Sequence, residues 1–442
     1  MRFLNQKLFS FTPSLFFKNF FSIIAFSLVP KIFAFGKELL IANKVGISQS
    51  LDYYLFIVSF ISLPLAYYCN GLQNLVIREI KGGENKNDTF IKWLIVFFII
   101  SVLLFPVWLL FGFIFLSNEA LFKFKELLEE SGISYFIYLS YYLLTGINLL
   151  FYSLLQSVNL LKLNVFLPVV SSLCFMLMLG LYSGSISTFI LFDILFFSTL
   201  FESLVLFFIS IKFGNLSINV NKIIKTCRLI NFSSFKSLIG MSLVSAIPAM
   251  IPLFEQYIYI RKGEGVLSAI SFSSRIPIAL SSLLVSATSV LSVSHFTPNL
   301  TSLNKEFLKF EISQVTRRMF LGGVVFTVLT VLLSKSLILL FFNTGAMKDA
   351  NIDQLASFQT LFFVQIPFLI VNMIYWRLFI LVLPSKYLFG ISTISGLTQL
   401  LIFYTSSFYS LQVMIASNTV IIASLNLFFY KFIFERVLIK QL

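Results

Sequence analysis

Long apolar runs recur along the whole chain, and they limit what this sequence can fold into. Runs of roughly 20 residues or more follow one another from the first hundred residues to the last. Each run is long enough to cross the ~30 Å hydrocarbon core of a bilayer as a helix. The short alternating segments of a transmembrane barrel do not occur, so helices must satisfy the backbone inside the lipid. The sequence therefore predicts an all-α polytopic membrane protein.

The composition supports this class and narrows the functions open to it. Of the 442 residues, 58% are hydrophobic and only 11% are charged, whereas a soluble domain carries about 25% charged residues. The net charge of +14 comes from lysines and arginines in short loops. We therefore expect no nucleic-acid partner, since a basic soluble domain is missing.

The ligands of a metal site are also scarce. Three cysteines form no CxxC pair, and His295 is the only histidine. These residues predict neither a disulfide framework nor a metal site, and we expect no bound cofactor.

The apolar runs divide into about twelve spans of membrane length. Turn sequences such as SGSIS at 183–187, RKGEG at 261–265 and PNLTSLNK at 298–305 separate them. The predicted spans are 17–43, 52–77, 91–117, 133–157, 164–183, 187–211, 237–260, 266–293, 317–343, 355–379, 385–406 and 410–433.

Loop charge predicts the orientation. With a cytoplasmic N-terminus, the cytoplasmic side holds about three times as many basic residues as the opposite side, as the positive-inside rule requires. Both termini are then cytoplasmic, and the first apolar run is an uncleaved span. The longest hydrophilic loop, at 212–236, is too short for a catalytic domain, so any function must be built from the helices.

An internal repeat is visible around two glutamates. Glu38 and Glu255 each precede a basic turn with a glycine, and the next span of each half contains a proline, Pro64 or Pro277. An even number of spans per half makes these parallel repeats. The predicted halves, with six helices each, are residues 1–215 and 216–442.

Several charged residues lie inside the predicted spans. Each costs about 2.5–3.5 kcal/mol near the bilayer centre, so an intramembrane charge indicates a functional site. They are Lys31, Lys37, Glu38, Asp193, Glu202, Glu255 and Arg275.

The three basic residues of this set predict a cationic cavity. Arg275 has no charged neighbour in sequence, and Lys31 shares a helix face with Glu38 two turns away. Arginine favours phosphate through its bidentate donor fork. We therefore expect Lys31, Lys37 and Arg275 to bind an anionic ligand, although Lys37 could instead extend to the membrane boundary and pair with Glu38.

The acidic residues leave two roles open. Glu38, Glu255, Asp193 and Glu202 could couple transport to a proton or sodium gradient, or they could pair with basic side chains. For Asp193 and Glu202 we favour a basic partner on a neighbouring helix. Asp52 begins an apolar run, where the N-cap of its own helix is the expected role.

Four stretches carry a resemblance to a known family. The stretch KIFAFGKELLIANKVGISQSLDYYLFIVSFISLPL resembles the first helix pair of the MurJ/MviN branch of the multidrug/oligosaccharidyl-lipid/polysaccharide (MOP) exporters. The stretch EGVLSAISFSSRIPIALSSLLVSATSVLSV resembles a segment whose arginine falls on Arg275. Two later segments, SKSLILLFFNTGAM and YWRLFILVLPSK, place Gly345, Ala346 and Arg377 on family positions.

The resemblance implies a function, and the departures from it narrow the substrate. It implies a MATE/MOP-like fold of two six-helix lobes with alternating access. Family members that flip lipid II carry an arginine pair in the second helix, but SLPLAYY stands here at 62–68, and they commonly have two more helices. A Wzx-type flippase for an undecaprenyl-diphosphate-linked O-antigen or capsule repeat unit is therefore expected, in the bacterial inner membrane. Its implied partners are the polyprenyl-diphosphate-linked glycan, membrane lipid, and a glycan polymerase and glycosyltransferases.

Other functions stay open from the residues. A lipid II flippase is the alternative within the branch, and a drug or cation antiporter is the alternative within the superfamily. A membrane-embedded polysaccharide polymerase or ligase is the rival from another class, but the outward loop at 118–132 is short for a catalytic site. The expected energy source is membrane potential or a proton or sodium gradient.

Overall fold

Most helices of this protein lie on predicted spans, although several bounds differ. The computed structural model describes residues 13–81, 85–115, 134–158, 160–213, 216, 232–300, 305–348 and 350–435. Among these residues there are helices and turns but no strand. The predicted loops at 118–132 and 212–236, and the predicted boundary at 215, lie wholly or mainly outside the described residues.

The first half of the chain contains seven described helices. They are α1 (Pro13–Val45), α2 (Gln49–Lys81), α3 (Lys86–Phe115), α4 (Ser134–Ser157), α5 (Leu161–Phe166), α6 (Pro168–Leu181) and α7 (Thr188–Lys212).

The second half contains nine described α-helices and two short turns of other helical types. The α-helices are α8 (Phe232–Arg261), α9 (Val266–Leu300), α10 (Lys305–Leu332), α11 (Ser334–Phe342), α12 (Ile352–Val364), α13 (Ile366–Val382), α14 (Ser385–Ser406), α15 (Leu411–Ala416) and α16 (Ile422–Ile433). The turns are a 3₁₀ turn at Gly345–Met347 and a π turn at Ser417–Ile421.

Nine helical segments within the described residues are long and apolar enough to cross a membrane. The helices α1 and α8, with 33 and 30 residues, correspond to the first and seventh predicted spans. The shorter helix α6 corresponds to the fifth. A polytopic helical membrane protein is confirmed, while the number twelve stays a prediction.

Some predicted spans are broken helices in the structure. The predicted span at 164–183 divides before Pro168, and the span at 355–379 divides before Pro367, because proline has no N–H for the helix ladder. The predicted span at 317–343 divides at Leu333 into α10 and α11. The last span contains the π turn, which no sequence pattern had indicated.

The two halves contact each other in a reciprocal way. Helix α1 packs on α9, and α2 packs on α8. The first helix of each half thus contacts the second helix of the other half, which is what a two-fold relation between repeats would produce.

A lysine at the end of the first helix of each half supports the same relation. Lys44 donates to the carbonyl oxygens of Leu179, Gly180 and Tyr182 at the end of α6, at 2.7, 3.0 and 2.6 Å. Lys262, just after α8, donates to the carbonyl oxygen of Ser407 at the end of α14. Cations suit the C-terminal ends of helices, where carbonyl groups lack partners. The division into two six-helix halves nevertheless stays a prediction.

Candidate functional site

A cavity of about 470 Å³ lies between helices of the two halves. Helices α1, α2, α4 and α7 of the first half and α8, α9, α12 and the π turn of the second half line it. Its polar lining residues are Lys37, Glu38, Tyr54, Ser59, Tyr141, Glu255, Gln256, Tyr259, Ser271, Ser274, Arg275 and Asn418.

The depth of the charged groups places this cavity inside the membrane. At 1.5 Å per residue, Arg275 lies about 14 Å along α9 from its first residue, Val266. Glu38 lies about 10 Å from the end of α1, and Glu255 about 9 Å from the end of α8. These distances are a third to a half of a ~30 Å hydrocarbon core.

Glu38 joins the two basic groups of the cavity. Its Oε2 lies 3.2 Å from a terminal guanidinium nitrogen of Arg275, across the contact between the halves. Its Oε1 lies 3.6 Å from Nζ of Lys37 on the same helix. The Lys37 ammonium also lies over the ring of Phe175 on α6, 5.2 Å from its centroid. The three charged side chains are 14% to 28% exposed, so they are only partly screened by water.

Arg275 keeps an unused donor. Its buried Nε–H has no hydrogen-bond partner among the residues that the structure describes. An unsatisfied buried N–H costs free energy, and a ligand with a suitable acceptor would satisfy it. The buried Oε1 of Gln256, on the same cavity, also lacks a partner within the described chain.

The second carboxylate of the cavity sits in an amide network. Gln399 on α14 donates to Oε1 of Glu255 at 3.4 Å and to Oδ1 of Asn418 at 3.2 Å. Asn418 also hydrogen-bonds the Glu255 carboxyl. Asn418 lies in the π turn at Ser417–Ile421, and such turns are frequent at functional sites.

Only some of the predicted site residues line the cavity in the part of the chain that the structure describes. The structure brings Lys37, Glu38, Glu255 and Arg275 together in one cavity, while Lys31 is half-buried on α1 and is not one of the described lining residues. Among the described residues, two basic and two acidic groups therefore line the cavity. When all four are ionised, their charges cancel, so the cavity lacks the expected excess of positive charge. Lys31 would have supplied that excess, but it lies two turns, about 10 Å, from Glu38.

The two acidic residues of α7 lie away from the cavity lining. Glu202 is buried and accepts a hydrogen bond from the Tyr152 hydroxyl on α4. Lys37 acts on it electrostatically, but the described contacts of Glu202 include no ion pair, so the expected basic partner stays a prediction. Asp193 is half-buried, about 14 Å from Glu202 towards the N-terminal end of the same helix. The roles of all seven charged residues stay predictions.

Sequence reasoning missed the uncharged polar groups of this site. Gln256, Gln399 and Asn418 carry no charge, so the search for intramembrane ions passed over them. An amide side chain inside an apolar span also indicates a functional site, although less strongly than a charge does. A search of the sequence for such amides would have found these three residues. The position of Asn418 depends on the π turn, which the sequence does not reveal.

The end of the molecule that is expected to face outward is closed. Asp52, 2% exposed in the first turn of α2, accepts hydrogen bonds from the backbone N–H of Gly265 at 2.7 Å and of Ser268 at 2.6 Å. It therefore caps α9 of the other half. The expected cap of its own helix is wrong: Ser48 takes that role and accepts from the Leu51 N–H.

Glycines allow close backbone contact at the same end. Gly345 has a φ of +55°, and a Cβ there would lie 1.7 Å from Oδ1 of Asn43. Gly46 has a φ of +66°, and its Cβ would lie 2.8 Å from the carbonyl oxygen of Ala346. One contact joins α1, and the other the residue just after it, to the 3₁₀ turn of the second half, so these positions require the absence of a side chain.

Comparison with solved structures identifies the fold. The chain is similar to the lipid II flippase MurJ in an inward closed conformation, with a TM-score of 0.74 at 14% identity over 94% of this chain and 87% of that chain. It is also similar to a multidrug resistance MATE family transporter of the MOP superfamily in an outward-facing conformation, with a TM-score of 0.66 at 13% identity over 95% of each chain. The chain has the MOP transporter fold. No family model and no curated protein sequence matches it.

A third solved structure has the same fold. A MOP superfamily transporter from Pyrococcus furiosus matches with a TM-score of 0.59 at 14% identity, over 97% of this chain and 95% of that chain. The predicted MATE/MOP-like fold is therefore confirmed. The MurJ/MviN branch, and a Wzx-type flippase within it, stay predictions, because identities this low report the fold alone.

Proposed function

We propose that this protein is a flippase that moves an undecaprenyl-diphosphate-linked oligosaccharide across the bacterial inner membrane by alternating access. The substrate would be an O-antigen or capsule repeat unit. The observation that carries the proposal is Arg275, which reaches a cavity at membrane depth with one buried N–H unsatisfied among the described residues. A phosphate oxygen is the acceptor that fits this donor best.

The walls of the cavity suit the other parts of such a substrate. The diphosphate would contact Arg275 and Lys37, and the tyrosines, serines and amides of the lining offer hydrogen-bond partners to sugar hydroxyls. The polyprenyl tail would stay in lipid. Because the two basic groups belong to different halves, rocking of one half against the other would carry the bound headgroup from one side to the other.

A proton or sodium gradient, or the membrane potential, would supply the energy for transport. Proton or sodium binding at Glu255, inside its amide network, would change the charge of the cavity by one unit. Membrane potential would act on the same charges. Glu202 and Asp193 are further candidates for coupling, and a glycan polymerase and glycosyltransferases are the proposed partners in the cell.

Lipid II is the alternative substrate, since MurJ has the same fold. The second helix offers a reason to prefer the repeat unit. Its segment at 62–68, SLPLAYY, contains no basic residue, and lipid II carries a peptide with carboxylates that an arginine pair would suit.

Complementation of flippase-deleted bacteria tests the proposal. One strain lacks its repeat-unit flippase and another lacks its lipid II flippase, and each is scored for the lipid-linked intermediate that accumulates on the cytoplasmic side. We expect the wild-type protein to clear the repeat-unit intermediate only. Clearance of lipid II alone would reassign the substrate, and clearance of neither would overturn the flippase proposal.

Variants connect this result to the site. We expect Arg275→Ala and Lys37→Ala to lose clearance at equal membrane levels. Lys31→Ala should keep a larger fraction of it, because Lys31 does not line the cavity. Arg318→Ala is the matched control, since this exposed arginine on α10 hydrogen-bonds Gln314 of its own helix at 3.2 Å and does not line the cavity as the described residues define it. Normal clearance by Arg275→Ala would make that charge structural.

A further inference from the structure

Glu38 occupies the position where a diphosphate would be expected to bind. Each of its two oxygens faces a different cation, Arg275 at 3.2 Å and Lys37 at 3.6 Å. A diphosphate presents several anionic oxygens and would seek the same two groups. The carboxylate and the substrate anion therefore compete for one pair of partners.

This competition means that Glu38 weakens substrate binding. A carboxylate beside a phosphate repels it, most strongly where water is scarce. A residue whose purpose was to bind the diphosphate would not be an acid. A role for this acid is therefore sought in a step of the cycle in which no substrate is present.

The empty carrier is that step. After release, the protein must close around the cavity and reorient without cargo. Closure buries the two cations in a low-dielectric interior, and this costs much free energy when they are unpaired. The cost is much smaller when an anion pairs with them. The Glu38–Arg275 pair supplies the missing anion and joins α1 of one half to α9 of the other, as the substrate would.

We infer that Glu38 is an internal stand-in for the diphosphate of the substrate. The incoming diphosphate displaces it from Arg275 and Lys37, and it returns when the substrate leaves, so that the empty carrier can reorient. This inference rests on the proposed function, because it assumes that the two cations bind phosphate.

Equilibrium binding tests the displacement. Farnesyl diphosphate, a short soluble polyprenyl diphosphate, is titrated into the purified full-length protein by calorimetry. We expect Glu38→Gln and Glu38→Ala to bind it about tenfold more tightly than wild type or better, a gain of about 1.4 kcal/mol. Glu38→Asp keeps the charge and should return the affinity towards that of wild type.

Two further variants separate the possible failures. Glu79→Gln is the matched control, because Glu79 pairs with Lys92 at 3.0 Å and is 15% exposed, close to the 14% of Glu38, but it lies outside the cavity. Arg275→Gln should lose binding. If Arg275→Gln binds like wild type, the phosphate site itself fails. If Arg275→Gln loses binding while Glu38→Gln binds no tighter than wild type, the site stands and the stand-in is refuted.

Reorientation of the empty carrier is the second readout. Ser271, which lines the cavity, is changed to cysteine after replacement of the three native cysteines by alanine. A membrane-impermeant maleimide then reports how often the cavity opens outward. In the empty protein, Glu38→Gln should slow labelling about tenfold, because the unpaired cations oppose closure. Added farnesyl diphosphate should restore the rate.

The two readouts answer different questions. Slow labelling that farnesyl diphosphate restores supports the stand-in, since the ligand then replaces the missing carboxylate. Labelling at the wild-type rate in empty Glu38→Gln would overturn it, and so would slow labelling that the ligand does not restore, which would indicate a merely structural ion pair.

Discussion

The cap that Asp52 provides for α9 gives the most direct test of how the two halves are held together. The carboxylate accepts two short bonds, 2.7 Å from the Gly265 nitrogen and 2.6 Å from the Ser268 nitrogen, and it is 2% exposed. It also lies at the positive end of the α9 dipole. The change Asp52→Asn keeps the size of the side chain but removes its charge.

The magnitude follows from these two bonds. A hydrogen bond to a charged group contributes about 1.5–3 kcal/mol, and the amide oxygen of asparagine retains part of one bond. We therefore expect the closed outward end to lose about 2–4 kcal/mol relative to the open one. At about 1.4 kcal/mol per factor of ten, the fraction of outward-open protein should rise between about 30-fold and about 1,000-fold.

The assay is outward labelling of the Ser271→Cys protein by a membrane-impermeant maleimide. Ser48→Ala is the control, because Ser48 caps α2, its own helix, through the Leu51 N–H at 3.3 Å. We expect Asp52→Asn to label faster and Ser48→Ala to label at the starting rate. An unchanged rate in correctly folded Asp52→Asn would show that this cap does not hold the halves together. Equal acceleration in both variants would point to local fraying of α2.

Three more predictions use other contacts. Gly345→Ala places a methyl group against Asn43 at a positive φ. We therefore expect it to accelerate the same maleimide labelling. A rate equal to wild type would show that the 3₁₀ turn can move aside. Lys44→Met removes three bonds to the end of α6. We expect a loss of about 1–3 kcal/mol after allowance for solvent exposure, which lowers the Tm of a chain this long by about 1–3 °C; an unchanged Tm would mean that water replaces the lysine. Gln399→Leu removes a donor from Glu255, and we expect flipping in proteoliposomes to lose its dependence on a proton or sodium gradient, whereas an intact dependence would exclude this network from coupling.

The sequence predicts the helices of this protein far better than the partners of its charges. Apolar run length alone locates the spans, since the bilayer sets a minimum that few soluble segments meet. The isolation of Arg275 in an apolar helix predicts a functional role for it. Its pairing with Glu38, however, depends on the packing of α1 against α9, and helix periodicity cannot show which helices meet.

The predictions made from the sequence for Asp52 and Lys31 are each right in part. For Asp52 the predicted chemistry, a helix cap, is right, but the helix is α9 and not its own, because a short acid binds whichever helix start is nearest in space. For Lys31 the shared face with Glu38 is a property of any α-helix. The described lining of the cavity includes Glu38 but not Lys31, which lies two turns away. Helix periodicity shows which residues share a face, but it does not show how far along that face a cavity reaches.

The π turn at Ser417–Ile421 puts the two ends of the last span out of phase. One extra residue in a helical turn rotates everything beyond it by about 100° relative to a continuous α-helix. Asn418 can thereby face the Glu255 network while α16 still presents Phe428 and Phe432 to the lipid side, where they are 70% and 60% exposed. Deletion of one residue here would bring the two segments back into register, and one of them would then have to expose the wrong face.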